Sequence, residues 1–288
     1  MKHINLILLS MSLISFGYAR ADTLTADTWV AGVLFKANTD LTLGCTDRTP
    51  VKGTLANIYT SRDIAWGAAG GTAETTFDCT RNVLSGYPEG SVNVKPYSIK
   101  SRTYVALYPN GKLRYFTLAA DTTTKDGIYT LKTGDGSQGS PIVSLYENGS
   151  IANATLSQPV NLRSPYTQTA VLPIAAGSIS FYPTQGATED IMAGAPRIFQ
   201  TASNLIINNI IIPQSSWLYL TADQQIFRVS SPARITVGDI ILPAGGDIQF
   251  LPELAYTVRS DKDWSFKGKS YPGGKLYFIF GQSVVPSY

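Results

Sequence analysis

A short apolar block closed by a turn recurs along the chain, and this recurrence limits the possible folds more than any other feature. It appears as Val105–Pro109, Val143–Glu147, Ile179–Pro183 and Ile248–Pro252, with Leu41–Cys45 and Leu218–Ala222 as looser copies. A degenerate copy, Thr75–Cys79, fills the long gap after the first. Upstream of several copies lies an apolar pair running into a turn: Leu34–Asn38, Val171–Gly177, Ile211–Ser215 and Ile241–Asp247. A Thr-Leu block opens the unit at Thr23–Thr28, Thr54–Asn57, Thr117–Thr122 and Thr155–Ser157. Tight turns follow at Tyr87–Gly90, Tyr108–Gly111, Tyr146–Gly149 and Tyr271–Gly274, and Tyr182–Gly186 is a stretched copy. Pro in such turns supplies a φ of about −65°, and Gly supplies a positive one.

Each unit of about 30 to 39 residues thus holds about three short strands between turns. Val105, Ala106 and Leu107 alternate apolar and small, the period of a half-buried strand. One such unit cannot bury its apolar face alone, but a stack of seven or eight can. Helical periodicity is missing, and charged residues make up 15 % of the chain, against about 25 % in an average soluble domain. The fold class is therefore all-β, a repeat architecture of short strands and tight turns. Two geometries fit, a β-solenoid-like coil or a hairpin-repeat stack, and an ordinary β-sandwich or barrel is the runner-up.

The segments Tyr108–Leu113, Tyr146–Ile151 and Tyr271–Leu276 resemble the Y-x-N-G-K-L unit of MORN-like bacterial repeat proteins. Together with Thr117–Thr122 they are similar to a group of exported bacterial repeat proteins. The resemblance covers about half of the chain that follows the first 21 residues, most clearly residues 104 to 186. It implies β-hairpin repeats and interaction surfaces and no single activity, so it assigns a functional role to no residue. Unit lengths vary here, and residues 187 to 240 carry no Y-x-N-G turn.

Met1–Ala21 reads as a secretory signal peptide: Lys2 and His3, an apolar stretch from Ile4 to Phe16, and an A-x-A site at Ala19–Ala21. That stretch is shorter than the roughly 20 residues a spanning helix needs, and no later apolar run reaches that length. The expectation is an exported protein, periplasmic or extracellular, with a single β-repeat domain over residues 22–288 and no transmembrane segment. Loss of Lys2 and Arg20 leaves 21 basic against 20 acidic residues, scattered along the chain. Nucleic-acid binding, which needs aligned cations to displace counterions, is excluded as the main function.

Export also changes the chemical inventory. The single His is His3, which leaves with the leader. A mature chain without His has no Ser-His-Asp triad and no His-ligated metal. Cys45 and Cys79, the only two Cys, should form a disulfide in an oxidising compartment. No cofactor and no metal site is called for. The pair also bears on geometry, because both follow the same strand block. Equivalent positions of adjacent solenoid coils lie about 4.8 Å apart, within bridging range. In an antiparallel row of hairpins they lie two strands apart, roughly 9.5 Å, so a bridge is expected to favour the solenoid.

Tyr is the most suggestive side chain, with 16 copies. Tyr108, Tyr146 and Tyr182 occupy matching positions of successive units and form a candidate row on one edge. Such a row can stack on sugar rings, or it can cover turns and pack on the next unit. Two functions stay open. The first is a non-enzymatic binding module for a glycan, an envelope component or a protein partner. The second is a His-free polysaccharide-active enzyme using paired carboxylates, for which Glu189–Asp190 and Asp261–Asp263 are the only tight acidic groups and Glu74, Glu89, Glu147 and Glu253 the remaining Glu. Gly134–Gly139 reads as a flexible loop without the Asp spacing of a calcium site.

Overall fold

The computed structural model describes residues 20–287, except 46, 68–72, 138–139, 164–170, 187–188, 208–209 and 253–254. The apolar stretch of the expected leader, His3 and Glu253 lie outside the described residues. None of the described residues is α-helical, and none belongs to a helix long and apolar enough to cross a membrane. The chain divides into two compact units, Met1–Tyr87 and Pro88–Tyr288.

The first unit contains β1 (Arg20–Thr23), β2 (Thr28–Val30), β3 (Val33–Phe35), β4 (Asp40–Gly44), β5 (Thr49–Thr54), β6 (Tyr59–Ser61), β7 (Ile64–Trp66), β8 (Glu74–Phe77) and β9 (Val83–Gly86). Strands β1, β4, β5, β8 and β9 pair antiparallel in that order. Arg20 and Ala21, expected to depart with the leader, pair with Leu43 and Thr42. The remaining strands form two short hairpins, β2–β3 and β6–β7. These hairpins lie over the sheet's apolar face: Phe35 of β3 and Tyr59 of β6 both meet Phe77 of β8 edge-on, with ring centroids 5.9 Å apart. Trp66 and Phe35 are fully buried there.

The second unit repeats the plan. Its strands are β10 (Val92–Val94), β11 (Tyr97–Ile99), β12 (Val105–Leu107), β13 (Leu113–Phe116), β14 (Thr122–Thr123), β15 (Thr130–Leu131), β16 (Val143–Leu145) and β17 (Ile151–Leu156). There follow β18 (Val160–Arg163), β19 (Val171–Phe181), β20 (Pro196–Thr201), β21 (Leu205–Ile207), β22 (Ile210–Ile212), β23 (Trp217–Leu220) and β24 (Ile226–Ser230). The last are β25 (Ile235–Val237), β26 (Ile240–Leu242), β27 (Asp247–Leu251), β28 (Ala255–Ser260), β29 (Trp264–Phe266), β30 (Lys269–Tyr271), β31 (Lys275–Phe280) and β32 (Ser283–Pro286). Six long hairpins, β12–β13, β16–β17, β19–β20, β23–β24, β27–β28 and β31–β32, join edge to edge into an antiparallel sheet that does not close. Between them the chain makes short hairpins, and the last three of these unite as a six-stranded second sheet, β21–β22–β25–β26–β29–β30.

The core lies between the two layers. Tyr97 of β11 packs on Phe116 of β13 at 4.9 Å, Tyr129 on Phe181 at 5.0 Å, and Trp264 of β29 on Tyr277 of β31 at 5.2 Å. The alternation read from Val105–Leu107 holds, since Val105 and Leu107 are buried and Ala106 faces out. The unit therefore has four strands, not three. The strand missed is the first of each short hairpin, two to four residues long and without room for a period. Several of these hairpins turn on two adjacent residues with positive φ: Ala31–Gly32 (50°, 83°), Arg62–Asp63 (54°, 61°) and Lys267–Gly268 (50°, 73°). Positive φ at both central positions matches the twist of the flanking strands.

This is the hairpin-repeat stack, and the expected link between the bridge and a solenoid does not hold. Cys45 and Cys79 are disulfide-bonded with Cα atoms 5.8 Å apart, in an antiparallel row. Both lie in turns beyond the last ladder pairs, Gly44–Thr49 and Phe77–Val83. There the chain is no longer held at the strand spacing, and the tips of neighbouring turns converge. Nor do all the Tyr-x-x-Gly segments occupy one position. Tyr108–Gly111 and Tyr146–Gly149 turn long hairpins, but Tyr271–Gly274 connects β30 to β31, and Tyr87–Gly90 follows β9.

Candidate functional site

Four long hairpins turn in the same way. In Asp78–Asn82, Tyr108–Lys112, Tyr146–Ser150 and Thr221–Gln225 the first residue's N–H donates to the fifth residue's carbonyl. The fourth residue's N–H donates back to the first residue's carbonyl, and all these bonds measure 2.8–3.0 Å. The fourth residue has positive φ in each: Arg81 68°, Gly111 86°, Gly149 92° and Gln224 65°. This is a type I turn followed by a left-handed residue. In the first of them, burial pushes the Asp78 carboxyl up, but hydrogen bonds from Thr80 and Asn82 outweigh it and hold it below the usual carboxylate range.

Tyr108, Tyr146 and Tyr182 each follow the last inward residue of a first long strand. Each donates its hydroxyl to the equivalent carbonyl of the next unit: Tyr108 to Leu145, Tyr146 to Phe181 and Tyr182 to Leu220, all at 2.8 Å. The turn amides extend the same connection. Asn110 Nδ2 donates to Glu147 Oε1 at 2.9 Å, and Asn148 Nδ2 donates to the carbonyls of Thr184 and Gly186 at 2.8 and 2.9 Å. The structure thus brings the three Tyr into one ladder, with hydroxyls that join successive units.

Beside this ladder is a feature the sequence did not announce. In six long hairpins the second strand carries one extra residue opposite the end of the first, a β-bulge at a constant position. The extra residues are Val51, Leu84, Arg114, Ala152, Arg197 and Phe227. Arg114 lies over the Tyr108 ring with its guanidinium carbon 5.7 Å from the centroid, and Arg197 over Tyr182 at 5.6 Å. Ala152 holds the matching position beside Tyr146. Both Arg are exposed, and among the described residues neither guanidinium makes an ion pair or hydrogen bond.

The outer face of the second unit's sheet presents one row in register: Ala106, Tyr115, Ser144, Asn153, Ser180, Ile198, Tyr219, Arg228, Gln249, Thr257, Phe278 and Val285. Asn153 Nδ2 donates to Ser144 Oγ at 2.9 Å, and Ser180 Oγ donates to Asn153 Oδ1 at 2.6 Å. Tyr115, 36 % exposed, meets the exposed Tyr104 edge-on at 6.0 Å. Arg228 is the row's only charged member, and it is ion-paired with Asp247 at 2.8 Å and stacked over Tyr219 at 4.7 Å. Asn153, Thr155, Ser178 and Ser180 floor a shallow open depression against Ser140–Ile142.

The acidic residues occupy other places. Glu74 pairs with Lys52 at 2.7 Å, Glu89 with Arg102 at 2.6 Å, and Asp190 with Lys125 at 2.5 Å. Asp263 accepts the Gly273 N–H at 3.2 Å. In the loop that begins at Gly134, hydrogen bonds from the Ser137 hydroxyl and backbone, with one from Ser140, draw the exposed Asp135 carboxyl down to about 2. No group of three or more His, Cys, Asp or Glu among the described residues is placed to hold a metal. The fold and the site define an all-β hairpin-repeat protein with a long, largely uncharged outer face. Comparison with family models, curated proteins and solved structures finds no match.

Proposed function

We propose that the chain is an exported, non-enzymatic binding protein whose outer sheet face takes a glycan or another envelope component. The observation that carries this reading is the register row from Ala106 to Val285, where hydroxyl, amide and aromatic side chains hold eight of the twelve strand positions. Sugar rings stack on aromatic faces, and their hydroxyls exchange hydrogen bonds with Ser, Thr and Asn. The row is long and shallow, which suits an extended ligand better than a small substrate enclosed in a pocket. Export is supported by the leader-like first 21 residues and by the Cys45–Cys79 bridge, a bond that persists in oxidising compartments. The resemblance to exported repeat proteins with interaction surfaces points the same way.

The test is a binding screen with the mature protein against immobilised polysaccharides and a bacterial envelope extract, paired with an assay for released reducing ends. Retention without bond cleavage is expected. Turnover of a polysaccharide, or no retention by any fraction, would overturn the reading.

A further inference from the structure

We propose that Arg114 and Arg197 are the two anion contacts of an acidic-polysaccharide site laid across strands β13 to β20. The inference rests on the binding reading above and names its ligand class. Both guanidiniums stand at the same bulge position of their hairpins, and each rests on a ladder tyrosine, Tyr108 or Tyr182. Stacking holds the planar fork in place, so less side-chain freedom is lost when it meets a carboxylate or sulfate. Among the described residues neither has a counter-charge in contact, unlike Arg62, Arg102 and Arg228, which pair with Asp78, Glu89 and Asp247.

The strands between them set the spacing. From β13 to β20 the sheet takes four inter-strand steps, roughly 19 Å at the usual spacing. Between the two charges lie Tyr115, Ser144, Asn153 and Ser180, all uncharged, and Ala152 keeps the middle bulge low. Glu147, in the turn between them, is held at the turn tip, where Asn110 donates to it. A ligand matching this surface carries anionic groups separated by several neutral rings with hydroxyls. An acidic polysaccharide has that pattern. Nucleic acid, with a phosphate at every step, would need a continuous row of cations instead.

The experiment measures retention of the mature protein on immobilised polygalacturonate, on dextran sulfate and on uncharged dextran, at low and physiological salt. Both acidic polymers, or one of them, should bind well above dextran, and the better of the two identifies the anion. Retention should fall as salt rises. R114Q and R197Q should each weaken it about tenfold, the strength of one charge-assisted contact. K269Q, the same charge change on the exposed Lys269 of the second sheet, should leave it unchanged. Since Arg114 and Arg197 are exposed, the variants fold, and a circular dichroism melt verifies this. Equal binding to dextran, or acidic binding that survives the double substitution, overturns the site and leaves the glycan reading standing. Retention by envelope extract but by no acidic polymer overturns the site alone. Retention by nothing overturns both.

Discussion

Tyr146 and Tyr97 look alike in the sequence, and their hydroxyls have opposite consequences. Tyr146 donates to the Phe181 carbonyl at 2.8 Å and so joins its unit to the next. Tyr97 is 3 % exposed, and its hydroxyl bonds to none of the described residues. Burial pushes its phenol pKa up, as expected for a group whose charged form has no support there. Removing a partnered hydroxyl leaves a carbonyl without its donor, whereas removing an orphaned one takes away a desolvated dipole. We therefore expect Tyr146→Phe to lower stability by about 1–2 kcal/mol. Tyr97→Phe should leave stability unchanged or raise it by about 1 kcal/mol. Urea titration of both variants checks this, and equal losses would contradict the assignment. The Tyr spacing was legible in the sequence, but the direction of each hydroxyl was not, because it depends on which carbonyl the next unit places 35 to 38 residues further on.

At the scale of the element, the turn was only partly legible. Tyr108–Gly111 and Tyr146–Gly149 display the glycine that a positive φ favours. The same geometry at Asp78–Asn82 and Thr221–Gln225 is built with Arg81 and Gln224, so a pattern anchored on glycine misses it. The bulge is harder still to read, because one extra residue leaves no mark in the period of a strand only four to six residues long. Gly149→Ala places a side chain at φ 92°. It should cost about 1–2 kcal/mol, read as a lowered urea midpoint with an unchanged slope. An unchanged midpoint would show that the turn relaxes freely. Neighbouring turns also converge where strands do not, and this is why Cys45 and Cys79 bridge across 34 residues. By the chain-entropy estimate that closure contributes about 3–4 kcal/mol. The Cys45→Ser, Cys79→Ser double variant should lose protection from hydrogen exchange in β4, β5, β8 and β9. Full protection there would mean the bridge only decorates hairpins that are stable without it.

For the molecule as a whole, sequence neighbours are also neighbours in space. In the second unit each long strand pairs with the next long strand in sequence, so order is built from local contacts and from the interfaces between successive hairpins. The blocks of the sequence could therefore reveal the architecture without any long-range pairing being guessed. In such a chain, stability is a sum over repeats and their interfaces, and it need not be uniform. A hairpin with partners on both sides is held twice. β19 and β20 have ladder neighbours on each flank, and Ile179, Phe181 and Phe199 are at most 2 % exposed. β32 pairs with β31, its side chains alternate between half-buried and exposed, and Val285 is 45 % exposed. Hydrogen exchange should therefore grade along the sheet. Amides of β19 and β20 should exchange at least about a hundredfold more slowly than those of β32, with β27 and β28 between them. Such a gradient would mean that the stack opens from this side by loss of whole hairpins. Uniform protection from β12 to β32 would instead show a single cooperative block, in which the interfaces between hairpins outweigh the stability of any one of them.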